Sequence, residues 1–339
     1  IAAIQCLNVI PGPASPSISA THPTNQGGSV KIMKEFLLFG KGFKKVDQWQ
    51  DGCWVNICSP TQDDINYMEG LGVPDSFISD IRDPNERPRV ERDDDWMLTI
   101  MRIPRETGDA DIPFSTVPLG VITNGNLVIV LCYFKNIVIH DFVQYNTTKG
   151  NAIYNKFALI LRLIMSSAVW FLKFLKQINI SINNTEDGLE RRLRNDDLLK
   201  LRNLQKSLVY FNTGIRGNEA LVTRIKAIYT NSELLDPEMV EDVHIELQQA
   251  QNMVSIYSNI LTGTMETFGS IISNNLNLIM KRMTSITIIL QVPTLIASLY
   301  GRNVWLPIGD KPWAFVAILL LSVSLSCAAF IVFKKIKWF

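Results

Sequence analysis

Seven positions near the end of the chain share residue types and a spacing that allow them to act together. Alternate steps of three and four connect Asn277, Met280, Thr284, Thr287, Gln291, Thr294 and Ser298, a nearly all-polar line on a segment otherwise rich in Ile, Leu and Val. None of these side chains is an acid, a base or a strong nucleophile. Their hydroxyl and carboxamide groups can instead hydrogen-bond to water and to hydrated ions. At membrane depth such groups turn toward a bundle interior or a water-filled path, and a 3.5-residue period is that of helices packed side by side about an axis. The same register runs backwards through Ser273, Ser270, Glu266, Gly263, Asn259, Asn252 and Asp242. One copy cannot enclose a pore, so the line implies an oligomer. The competing reading is that small hydroxyl residues hold two apolar helices together; the length of the run, with Asn277 and Gln291 in it, favours the wet face.

Other chemistry has little to stand on. Cys6, Cys53, Cys58, Cys132 and Cys327 form no C-x-x-C pair, and His22, His140 and His244 are far apart, so no zinc framework, metal cluster or triad is indicated. There is no phosphate-binding loop, nucleophile elbow or H-E-x-x-H helix, and no enzyme is expected. The balance of 33 Lys and Arg against 32 Asp and Glu, without a long basic run before the C-terminus, argues against nucleic acid as a partner. Asp93-Asp94-Asp95 reads as a solvated turn.

The polar line needs a long helix to carry it. Asp236-Pro237-Glu238 is a helix start, with Asp236 as N-cap and Pro237 at the first helical position, and no proline follows until Pro293. A helix continuous from Pro237 to Tyr300 would be about 95 Å long at 1.5 Å per residue. Residues 237–282 are expected to form a stalk. Residues 283–301 and 313–333 are uncharged and long enough to cross a bilayer. Lys281 and Arg282 precede the first span, and Lys334, Lys335 and Lys337 follow the second. The positive-inside rule therefore places both flanks, and both termini, in the cytoplasm, with the 302–312 loop outside and 334–339 as a basic tail. Pro293 frees a backbone carbonyl in the first span, tolerable beside a hydrated interior.

Upstream, residues 33–236 read as an α/β and helical domain. Cys53–Cys58 and Trp96–Ile103 are expected strands, and Thr61 caps a helix with Asp63 and Asp64 near its start. Leu119–Val130 and Asn136–Phe142 flank Asn124-Gly125-Asn126 in a pattern that suits a β-hairpin. Phe157–Ile178 looks membrane-like, but Arg162 and Lys173 leave too short an uncharged run, so it reads as a buried helix. Glu186–Phe211 reads as a charged helix with Leu189, Leu193, Leu201, Leu204 and Leu208 at core spacing. Residues 1–32, rich in Pro, Ser, Thr and Gly, read as a leader or disordered extension.

The segments Leu276–Thr284, Ala297–Asn303 and Lys334–Phe339, together with Ile78–Glu91, resemble the CorA family of magnesium channels, and the resemblance covers nearly everything after Met33. It implies a funnel-shaped homopentamer in a bacterial inner membrane: α/β cytoplasmic domains, long stalk helices and two C-terminal transmembrane helices, the first lining the pore. The function implied is influx of Mg²⁺, with passage of Co²⁺ or Ni²⁺, driven by the membrane potential. The family signature Tyr-Gly-Met-Asn falls on Tyr300-Gly301-Arg302-Asn303, where Asn303 would hold a hydrated Mg²⁺ at the outer mouth. By motif position Asp80 and Asp242 would bind regulatory Mg²⁺ between subunits and close the channel, and Glu266 stands where a pore-side Asp is common. Arg302 departs from the family Met. The alternatives are a zinc or other cation transporter of the same fold, disfavoured by the lack of His and Cys in the polar line, and a non-conducting magnesium sensor created by Arg302.

Overall fold

Along Trp96–Glu106, Met97, Met101 and Ile103 are buried in one apolar cluster, while Leu98 and Ile100 are buried in another. A strand that is apolar on both faces must be covered on both. The computed structural model, which describes residues 33–150, 152–153, 155–191, 195–229, 232, 234–300 and 313–336, places helices on each side. In chain order the first elements are β1 (Met33–Leu38), β2 (Gly40–Lys41), β3 (Lys44–Val46), β4 (Cys53–Cys58), α1 (Gln62–Gly70), α2 (Asp75–Arg82), β5 (Arg89–Asp93) and β6 (Trp96–Glu106). Then come β7 (Phe114–Asn124), β8 (Leu127–Cys132), α3 (Val138–Lys149), β9 (Ala152–Ile153), α4 (Lys156–Arg191), α5 (Asn195–Ile228), α6 (Pro237–Tyr300) and α7 (Ala314–Lys335).

Seven strands form one mixed sheet in the order β3-β1-β4-β8-β7-β6-β5, parallel only between β4 and β8. Met68, Val73, Phe77, Ile78 and Ile81, from α1, α2 and the turn between them, cover one face. The helices α3 to α6 bury the other, around Trp54, Met101, Phe171 and Phe211. The Thr61 cap forms as expected: its N–H and hydroxyl donate to Asp64 Oδ2 at 3.0 and 2.8 Å. The β7–β8 hairpin turns at Gly125, whose φ of 53° lies in the left-handed region.

Two sequence expectations change. Asn136–Phe142 does not form a strand. Asn136 Oδ1 accepts from the Ile139 N–H at 3.1 Å, and Val138, Ile139 and Phe142 bury one helical stripe of α3. Glu186–Phe211 is divided between the end of α4 and the start of α5, with 192–194, and so Leu193, outside the described residues. The expected core positions Leu201, Leu204 and Leu208 are buried on α5. Residues 1–32 also lie outside the described residues.

Among the described residues three helices are long and apolar enough to cross a membrane, but they differ in what covers them. Of the most apolar stretch of α4, 56% is buried inside the fold, against 6% for α6 and 0% for α7. The apolar face of α4 is therefore spent on β6, α5 and α6.

One polar knot ties the helical layer to the sheet. Asn218 on α5 accepts from the Arg102 N–H at 2.8 Å and donates to the Arg102 carbonyl at 2.7 Å, while Ser167 Oγ on α4 donates to the same carbonyl at 3.0 Å. All three residues are buried. Asn218→Ala strands a buried N–H and opens a void, and is expected to cost about 3 kcal/mol of stability. Thermal unfolding would register this as a clearly lowered midpoint, and an unchanged midpoint would contradict it.

Candidate functional site

The long helix begins where Glu238 N–H donates to Asp236 Oδ1 at 3.0 Å, with Pro237 at a position that needs no N–H. It runs 64 residues, about 96 Å. Val240, Val243, Leu247, Ala250, Val254, Tyr257, Leu261 and Phe268 are buried. Their steps of three, four and seven keep one seam of α6 against α4 and α5. Asp242, Asn252, Asn259, Gly263, Glu266, Ser270 and Ser273 lie off that seam and are exposed. Past Phe268 no residue is buried until Ser285, so the helix leaves the body of the fold as an uncovered rod.

It meets α7 next. Ser285 is fully buried, and Ile289, Val292, Pro293 and Ile296 are half-buried. From α7, Ile318, Ser322, Ser326, Ala329 and Phe333 are half-buried. The small residues let the two backbones approach. Pro293 offers no N–H to the carbonyl four residues before it, that of Ile289. The Ser326 hydroxyl reaches this carbonyl at 3.5 Å while also lying 3.0 Å from Ser322 O. The freed carbonyl thus faces α7 and not a hydrated interior, which corrects the sequence expectation for Pro293.

At 100° per residue, the polar line lies roughly opposite the Ser285–Ile296 face. Asn277, Met280, Thr284, Thr287, Gln291, Thr294 and Ser298 are all exposed, so within the chain they do not hold α6 to α7. Thr287 donates its hydroxyl proton to Met283 O at 2.9 Å, and Thr294 donates to Leu290 O at 3.1 Å. Spending the proton on the helix leaves the oxygen lone pairs pointing outward as acceptors. A hydrated cation presents water O–H donors, so outward acceptors suit its shell.

The acidic candidates are dispersed. Asp80 Oδ2, on α2, lies 2.6 Å from Arg89, which also pairs with Glu86 and, at 2.8 Å, with Glu91. Three carboxylates around one guanidinium leave two negative charges in excess. Asp242 is on α6, across the sheet from α2, so one chain does not bring the two together. Among the described residues no group of three or more His, Cys, Asp or Glu is placed to hold a metal. The backbone of Tyr300 closes α6, and Gly301, Arg302 and Asn303 lie outside the described residues. Sequence reasoning missed Ser285 and Ser326; their only signal was a small polar residue on the side of each helix away from the stripe or among large apolar neighbours.

A family model described as CorA-like Mg²⁺ transporter protein matches residues 49–335. The chain belongs to this family. The curated relative named Cobalt/magnesium transport protein CorA from Methanocaldococcus jannaschii is 26% identical over 297 residues, covering 84% of this chain and 90% of that protein. Its namesake from Thermotoga maritima is 23% identical over 299 residues, covering 84% and 83%. The solved complete structure of the M. jannaschii CorA magnesium transporter superposes with a TM-score of 0.78 at 23% identity, covering 91% of this chain and 100% of that one. The fold of a CorA protein, a sheet-centred N-terminal domain, a long helix and a C-terminal apolar helix, is therefore the fold of this chain.

Proposed function

We propose that the chain is one subunit of a homopentameric divalent-cation channel, passing Mg²⁺ inward and admitting Co²⁺ or Ni²⁺. Residues 283–301 and 313–333 are its two spans in a bacterial inner membrane, with both termini cytoplasmic. The observation that carries this reading is the exposed polar line on the face of α6 turned away from α7. In a ring of subunits α7 lies outside, toward lipid, and the Thr287, Gln291 and Thr294 oxygens line the axis.

Mg²⁺ gives up its waters reluctantly, so a path lined with acceptors conducts it with its shell largely retained. Asn303 serves as the outer ring that holds the hydrated ion. The membrane potential supplies about 4.6 kcal/mol per divalent ion at 100 mV, without nucleotide hydrolysis. On the cytoplasmic side, Mg²⁺ bridging Asp80 of one subunit and Asp242 of the next holds the ring closed, with Glu266 further along the axis. The two excess charges around Arg89 attract the ion to Asp80, and the exposure of Asp242 leaves it open to a neighbour.

Uptake into liposomes is expected to fall as internal Mg²⁺ rises. Asp242→Ala is expected to raise the internal Mg²⁺ needed for half-closure by about fivefold or more. Flux indifferent to internal Mg²⁺ in both proteins would contradict the regulatory assignment, and absence of any flux would contradict the channel.

A further inference from the structure

We propose that the globular body holds a second, unrelated site, which binds a small organic phosphate in the cleft between the 84–88 loop, β6, β7 and α5. Two cavities, about 560 and about 210 Å³, share Asn85, Arg102, Thr116 and Tyr210 as a common wall and so form the halves of one cleft. Their combined size is that of a metabolite site. Arg87 and Lys206 line the larger half and Arg105 the smaller. With Arg102 this makes four cations against one acid in the lining, Glu86, which shares Arg89 with Asp80 and Glu91, so the lining itself keeps a positive excess.

Arg102 directs its guanidinium N–H groups at the carbonyls of Pro84 (2.6 Å), Glu86 (3.0 Å) and Thr116 (2.6 Å) and at Thr116 Oγ1 (2.8 Å). It is buried with no carboxylate in direct contact; burial pulls its pKa below the usual guanidinium value, and the nearby Asp83 and Glu86 charges oppose that shift. Arg105 Nε is buried and lacks a hydrogen-bond partner, its guanidinium lying 5.6 Å from the Phe134 ring centre. Among the described residues, Arg87, Arg105 and Lys206 make no ion pair. Arg102, whose N–H donors are all spent on Thr116, Pro84 and Glu86 oxygens, contributes positive charge and holds the 84–88 loop, while Arg87, Lys206 and Arg105, with its unpartnered Nε, offer the donors that suit phosphate oxygens. Pro88, Ile112, Val209 and the Tyr210 ring supply an apolar wall for the organic part.

The test is calorimetric titration of the full chain in detergent, with divalent cations chelated, using adenosine monophosphate and inorganic phosphate as probes. One saturable site per chain is expected, tighter for the nucleotide. Arg105→Gln and Lys206→Gln are each expected to weaken it about tenfold, with unliganded melting temperature unchanged. Lys149→Gln, at the exposed end of α3, is expected to leave it unaltered. No binding of either probe at about 10 mM, or affinities unmoved by both Arg105→Gln and Lys206→Gln, would overturn the site. Equal affinity for the two probes would overturn its organic half.

Discussion

Replacing Thr287, Gln291 and Thr294 together by leucine is expected to lower Mg²⁺ flux by about 100-fold or more. In the proposed channel each ring of the line would offer acceptor oxygens to the shell of a passing ion, and a hydrogen bond to a charged species is worth about 1.5–3 kcal/mol. Loss of even two such rings raises the barrier by about 3 kcal/mol or more, which is beyond two decades in rate. Leucine also dries a narrow path, since hydrophobic constrictions gate by dewetting. The substitution should not disturb the fold. Thr287 and Thr294 bond only to carbonyls of their own helix, and all three side chains are exposed on the face away from α7. Liposome uptake read with an internal Mg²⁺ indicator checks it, with sizing of the purified protein to show that assembly survives. A flux within threefold of the native protein would mean that the line does not face the ion.

The second large effect is expected at position 302. The CorA resemblance sets Arg302 where Met is expected, and in the proposed channel it would stand beside the Asn303 ring. At about 8 Å and an effective dielectric near 20, one unit-charge pair is worth about 2 kcal/mol before salt screening, and a divalent ion facing five guanidiniums meets several such terms. In the proposed outer loop Asp310 would offset part of this and Lys311 would add to it. Arg302→Met is therefore expected to raise inward Mg²⁺ flux by about tenfold or more, with the largest gain at low ionic strength, where screening is weakest. Equal flux at all salt concentrations would mean that the guanidiniums turn away from the mouth. Absence of native flux together with strong flux in Arg302→Met would identify the native chain as a non-conducting sensor.

Much of this was legible in the sequence because it is local or periodic. The Asp236-Pro237 cap, the Gly125 hairpin and the Thr61 cap depend on neighbours within four residues. The polar line keeps its register from Asn277 to Ser298 and continues backwards to Asp242. What failed had no such signal. Asn136–Phe142 is a short apolar run, which reads equally as strand or helix; the Asn136 side chain capping Ile139 decides it. The direction of the carbonyl freed by Pro293 depends on where α7 packs, which no local pattern encodes. Arg102 and Asn218 are 116 positions apart, and Asp80 finds Arg89 only after α2 and β5 fold together, so neither partner could be read from spacing alone.

The central claim is that identical subunits turn the polar line of α6 to a shared aqueous axis. It is tested most directly by flux block in a chain whose five native cysteines are replaced by alanine, with single cysteines introduced along residues 284–298. A charged thiol reagent is predicted to halt Mg²⁺ flux at positions 284, 287, 291, 294 and 298. It should leave flux intact at 285 and 289, which face α7. Block at the second set with sparing of the first, or no position-dependent block at all, would contradict it.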